Sequence, residues 1–217
     1  MKGDAGVMQE AVKQLQEAFT DKENAVSAYE NLQASVTDVL NTAEEAVAVA
    51  EDMKSIVMLH KQISLATKFA RQENYEVPVY VNGEMTSINL KLLHNTGETK
   101  VTASMHTDEF GNVVAEFALI DEEIEGYIAC NEKNTLPVLE RIKVMLETGF
   151  ANLGYQTKEL YVVESKELNL KTFNKITKKA DKNNAEEKQT QQSAAPKQLY
   201  SIAKIFIASV QSIRKGD

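Results

Sequence analysis

Apolar residues occupy every second position in two consecutive segments, 113–119 and 124–130, which the acidic residues 121–123 separate. Successive side chains of a strand point to opposite faces of its sheet, so this alternation is typical of half-buried strands. Two such segments with a short polar connection predict a β-hairpin.

From Thr135 onward the period of the apolar residues lengthens to three and four. Pro137 falls in the first turn of the expected helix, where its missing N–H leaves no hydrogen bond unmade. Gly154 can adopt a positive φ and end this helix, and residues 158–163 return to an extended pattern. The chain from 113 to 163 therefore predicts the order β-β-α-β. The helical stripe consists of Leu136, Leu139, Ile142, Val144, Met145, Leu146, Phe150 and Leu153.

Three further strands are expected before this unit, at 77–81, 85–93 and 100–106. Pro78 cannot donate to a sheet ladder, so the first of them is expected to be an edge strand or to have Pro78 at its initial position. Asn82 and Gly83 both tolerate positive φ and predict a two-residue hairpin turn after it. These strands would extend a mostly antiparallel sheet.

The first 73 residues contain no proline and predict helices at 5–18, 21–40 and 43–73. Two capping boxes, 20–23 and 42–45, are expected to begin the second and third helices, with Thr20 and Thr42 as the capping hydroxyls. Each helix has an apolar stripe, which requires a partner surface. A small bundle, a coiled-coil arm for another protein, and a helical domain packed on the sheet all remain open.

Beyond Ser165 the chain becomes rich in lysine, asparagine and glutamine, which predicts a disordered basic linker at 166–196. An amphipathic helix follows at 197–217. It either docks within the chain or lies in a groove of another protein, and membrane-surface binding is a minor third alternative.

Composition narrows the classes of function. The net charge of −8 argues against a general nucleic-acid surface, which needs clustered positive charge. The single cysteine, Cys130, allows no internal disulfide and no cysteine zinc cage. No apolar run reaches the length of a membrane span, and the first residues lack the pattern of a cleaved signal. A cytoplasmic protein is expected.

Groups suited to catalysis are scattered along the sequence. His60, His94 and His106 show no metal-ligand spacing, and the carboxylates of 121–123 fall in a turn, where they are well solvated. There is no phosphate-binding loop. We therefore expect a protein that is not an enzyme and uses neither cofactor nor metal.

Residues 105–164 resemble the C-terminal domain of flagellar hook-length control proteins. That family has a Leu, a Pro, a second Leu and a Gly leading into a strand, followed by a hairpin, a helix ending near Gly and a last strand. Met105 stands at the first Leu, Thr107 at the Pro, Phe110 at the second Leu and Gly111 at the Gly.

This resemblance implies a substrate-specificity switch of type III export in bacterial motility, itself exported through the flagellar apparatus. Its expected partner is the cytoplasmic domain of the export gate. The expected partner-binding residues are Met105, Thr107, Asp108, Glu109, Phe110 and Gly111. The alternative function is a structural or adaptor protein that binds protein partners through its helical arms.

The predicted fold class is α+β. It comprises a helical region at 1–73, a sheet domain at 75–165 with one long packing helix, a linker at 166–196 and an amphipathic helix at 197–217. The sheet domain consists of β-hairpins followed by β-β-α-β. A doubly wound parallel sheet is not expected, because repeated helical crossovers are missing.

Overall fold

The computed structural model describes residues 12–45, 50–95, 98–165 and 196–213. The chain forms two compact units, Met1–Val77 and Pro78–Asp217. Helices and a mostly antiparallel six-stranded sheet give the α+β class that the sequence predicts.

The described part of the first unit contains three helices. They are α1 at 12–18, α2 at Lys22–Glu45 and α3 at Ala50–Ala70. The predicted residues 5–11 and 46–49 lie outside the described part of the chain.

The start of α2 is capped by a different group from the one predicted. The N–H of Asn24 donates to Asp21 Oδ1 at 2.9 Å, so a carboxylate, and not the Thr20 hydroxyl, satisfies this free N–H. Thr20 Oγ1 instead accepts from the Asn24 side chain at 3.0 Å. The predicted N-cap was therefore wrong by one residue.

The second capping box does not begin a helix, because α2 continues through it to Glu45. Neither glycine nor proline occurs between 21 and 45, and the run Ala43-Glu44-Glu45 favours helix wherever it lies. A Thr-x-x-Glu sequence can occur inside a helix as well as at its start, so the predicted boundary before residue 43 was wrong.

Aromatic side chains lie in the core of the first unit. The ring of Phe19 meets that of Tyr75 edge to face, with centroids 4.8 Å apart. Tyr29 lies 6.2 Å from Tyr75, and its hydroxyl donates to the carbonyl of Glu76 at 2.6 Å. Buried Tyr29 is therefore supplied with a partner for its polar end.

The sheet has the order β1-β2-β3-β4-β5-β6. Pairs β2–β3, β3–β4 and β4–β5 are antiparallel, whereas β5–β6 is parallel. All six predicted strands are confirmed, and Pro78 lies in an edge strand. The strands are β1 Asn74–Val81, β2 Glu84–Asn95, β3 Glu98–Thr107, β4 Gly111–Ile120, β5 Glu123–Cys130 and β6 Gln156–Glu164.

Helix α4 (Leu136–Asn152) connects the two parallel strands, since parallel neighbours require a crossover. Pro137 lies in its first turn, after a 3₁₀ turn at Lys133–Thr135. Gly154 has φ +87°, and Tyr155 N–H donates to Phe150 O at 3.0 Å beyond it. The predicted start and stop signals of this helix are confirmed.

A second helix, α5 (Pro196–Gln211), packs on the sheet beside α4. Phe117 of β4 contacts both helices, with its ring 5.6 Å from Phe150 and 5.7 Å from Phe206. Of the alternatives for the C-terminal helix, docking within the chain is thus the one observed. The buried residues of α5 are Leu199, Tyr200, Ile202, Ala203, Phe206, Ile207, Ser209 and Val210.

Of the linker predicted at 166–196, residues 166–195 lie outside the described part of the chain, as do the last four residues, and Pro196 begins α5. Among the helices that are described, none combines the length and the apolar character that crossing a bilayer requires.

Candidate partner-binding site

The six predicted partner-binding residues lie at the hairpin turn between β3 and β4. Thr107 and Gly111 pair across the base of this turn. Thr107 Oγ1 accepts the N–H of Phe110 at 2.9 Å. The side chain of Thr107 therefore holds the turn by a hydrogen bond.

Most of the predicted site residues face inward. Met105 is 4% exposed, Thr107 9% and Phe110 5%, and Gly111 is also buried. The carbonyl of Phe110 accepts the hydroxyl of Thr135 at 3.2 Å. These residues hold the turn in place, and they leave only Asp108 and Glu109 for direct contact with a partner.

Gly111 permits a close approach of the segment that follows β5. Its φ is +63°, and a Cβ there would lie 2.5 Å from Asn131 Oδ1 and 2.9 Å from Glu132 Oε1. Asn131 Oδ1 accepts the N–H of Asn112 at 2.8 Å. The β3–β4 turn is therefore fixed from its far side by the end of β5.

The hairpin turn between β1 and β2 also belongs to this site. The sequence patterns did not indicate this relationship. Asn82 and Gly83 have φ values of +58° and +84°, as the two-residue hairpin turn requires. The side-chain amide of Asn82 donates to the carboxylate of Glu109. The first and third turns of a meander lie at the same end of its sheet, and that order could have revealed the neighbour.

Acidic groups dominate the exposed surface at this end of the sheet. Asp108, Glu109 and Glu84 are exposed, and so is Lys133 in the 3₁₀ turn that follows β5. Exposed carboxylates on a fixed turn complement a basic surface on a partner.

Reactive chemistry is not favoured near this turn. Burial raises the pKa of the Cys130 thiol, whose Sγ donates to Glu132 O at 3.1 Å, so the nucleophilic thiolate is disfavoured. Over the described residues, no three His, Cys, Asp or Glu side chains come together in an arrangement suited to a metal ion. What the arrangement offers is a rigid acidic tip for binding.

Comparison of the chain with protein-family models, curated proteins and solved structures finds no match.

Proposed function

We propose that this protein is a non-catalytic export-specificity switch of the flagellar hook-length control kind, which binds the cytoplasmic domain of the export gate. The observation that carries this proposal is the turn at 107–111, which leads into the unit β4-β5-α4-β6. The order of these elements and the lead-in from Met105 to Gly111 are the two features by which the chain resembles that family.

The fixed geometry of the turn supports a binding role. Thr107, Phe110 and Gly111 are held by hydrogen bonds and by close packing, so little conformational entropy remains to be lost when a partner binds. The exposed Asp108 and Glu109 would then meet a basic patch on the gate. No cofactor or metal takes part in this function.

The proposed function also implies where in the cell the protein acts. A protein with this role is made in the cytoplasm, reaches the gate there and is exported through the flagellar type III apparatus. Binding at the gate would favour the change from hook subunits to filament subunits.

A pull-down with the purified cytoplasmic domain of the gate from the same cell tests the proposal. The full chain is compared with Asp108→Arg, which reverses one exposed charge, and with Glu140→Arg, which makes the same charge change on an exposed position of α4. We expect the full chain and Glu140→Arg to bind equally, and Asp108→Arg to bind about tenfold more weakly.

Circular dichroism of the three proteins establishes that each is folded. A folded wild-type chain that fails to bind the gate would refute the proposal. Equal loss of binding in Asp108→Arg and Glu140→Arg would show that net charge, and not this turn, governs the interaction.

A further inference from the structure

Among the side chains of α3 that the structure describes, one apolar face is packed and a second is exposed. Ile63 and Ala70 are 8% and 0% exposed. At about 100° per residue, Leu65 lies on the opposite side of the helix from Ile63. On the second apolar face, Met58, Leu65 and Phe69 are 62%, 53% and 48% exposed, respectively.

The exposed face has the spacing of a helix-pairing seam. Met58, Gln62, Leu65 and Phe69 follow one another at steps of four, three and four residues. This is the spacing of the a and d positions that form the contact line of a coiled coil. We call Met58, Leu65 and Phe69 the α3 stripe.

Lysines line one side of the α3 stripe. Lys61 and Lys68 are seven residues apart, both are exposed, and both directly precede a seam position. Neither forms an ion pair with another residue in the described part of the chain. The opposite side of the stripe has Leu59 and Ala66, so positive charge occurs on one flank only.

We propose that the α3 stripe binds an amphipathic helix of another protein whose apolar face is flanked by acidic residues. Carboxylates beside the seam would pair with Lys61 and Lys68, as charges beside a coiled-coil seam do. This surface lies in the first unit and shares no residue with the proposed gate-binding turn, so it stands independently of that function.

A second copy of this chain is a poorer occupant of the stripe. In an antiparallel pair of α3 helices, the lysine flanks would face each other and repel. In a parallel pair, Lys61 and Lys68 would face the uncharged side with Leu59 and Ala66. Only an acidic partner neutralises these charges.

The probe is a labelled synthetic peptide of about four heptads, with Leu at the a and d positions and Glu at e and g. Its fluorescence anisotropy is followed on titration with the full chain. We expect Leu65→Ser with Phe69→Ser to weaken binding at least about tenfold, because apolar contact is lost. Val144→Ser, at an apolar residue of α4 that is 60% exposed, should bind like the unmodified chain.

Charge reversal separates this proposal from unspecific apolar binding. Lys61→Glu with Lys68→Glu should weaken binding of the Glu-flanked peptide about threefold to tenfold, because exposed ion pairs are individually weak. The same variant should prefer a peptide with Lys at e and g.

Three outcomes would overturn the proposal. One is a folded chain that does not bind the probe. Another is that Lys61→Glu with Lys68→Glu binds the Glu-flanked peptide in preference to the Lys-flanked peptide, as the unmodified chain does. The third is self-association in sedimentation velocity that Leu65→Ser abolishes, since the stripe would then be occupied by a second copy.

Discussion

Gly149 on α4 lies so close to Ile205 on α5 that a Cβ at residue 149 would be 2.5 Å from Ile205 Cγ2. The two helices pack side by side on the sheet, and their contact at this level depends on a residue without a side chain. A glycine inside a helix is unfavourable by itself, by about 1 kcal/mol relative to alanine. Close helix packing offsets that cost here.

Gly149→Ala should therefore lower the free energy of unfolding by about 1–2 kcal/mol, because overpacking against Ile205 exceeds the gain in helix propensity. In an Ile205→Ala background the clash is absent, and Gly149→Ala should instead stabilise by about 1 kcal/mol. Urea unfolding of the four proteins gives the coupling energy. The same sign in both backgrounds would show that Ile205 does not limit the approach.

The β4–β5 turn stores conformational strain. Asp121 and Glu122 have φ values of +48° and +72°, in a region where the sequence Asn-Gly is favoured. Glu122→Gly should stabilise the protein by about 1 kcal/mol, because glycine adopts this φ without a Cβ clash. Thermal unfolding measures the change.

Glu122→Gln is the control for that experiment, since it removes the charge and keeps the Cβ. The backbone carbonyl of Glu122, which accepts Gln156 N–H at 3.0 Å, is present in both variants. Equal stabilisation by glycine and glutamine would attribute the gain to relief of acidic repulsion and contradict the strain argument.

Local patterns predicted much of the second unit, because its strands and α4 obey the rules of alternation and capping. Asn82, Gly83, Pro137 and Gly154 each act where the sequence indicates. The positive φ values of Asp121 and Glu122 could not be read in the same way, since the short connection between two paired strands imposes them against local preference. At Thr42 the sequence predicted a helix start that the structure does not have, because α2 continues through this residue. A capping pattern inside a helix-favouring run specifies no boundary.

Contacts between residues that are distant in sequence determine the remaining features, which local patterns did not predict. The inward orientation of Met105 follows from alternation. Phe110 is instead held by Thr135, which is 25 residues away and whose hydroxyl donates to the Phe110 carbonyl. The docking of α5 required a groove formed by several strands and α4. Periodicity identified its apolar stripe without indicating which surface would receive it.

Phe110 anchors the candidate site, because its ring is buried and its carbonyl accepts the hydroxyl of Thr135. Phe110→Ala removes a ring that is 5% exposed and should lower the free energy of unfolding by about 3–5 kcal/mol. Denaturant unfolding tests this expectation. A change of about 0.5 kcal/mol or less would show that the ring contributes little to the fold, and the residue would then be suitable for partner-binding experiments.

Alkaline conditions should destabilise the first unit through Tyr29. Burial, and then the nearby charge of Glu76, raise the pKa of its hydroxyl above the ordinary value of 10.0. Above this value the unfolded chain releases the tyrosine proton while the folded chain retains it, so stability falls as pH rises. Below it the hydroxyl is neutral in both states, and this loss is absent.

Tyr29→Phe separates the two contributions of that hydroxyl. Near pH 8 the variant should be less stable by about 1 kcal/mol, because the hydrogen bond to Glu76 O is lost. Between about pH 8 and 11 its stability should fall by about 1 kcal/mol less than that of the unmodified chain. Tyr161→Phe, at a tyrosine that is 55% exposed, should change the pH dependence much less. Urea unfolding at the two pH values decides the matter, and parallel losses in Tyr29→Phe and the unmodified chain would rule out Tyr29 as a source of alkaline instability.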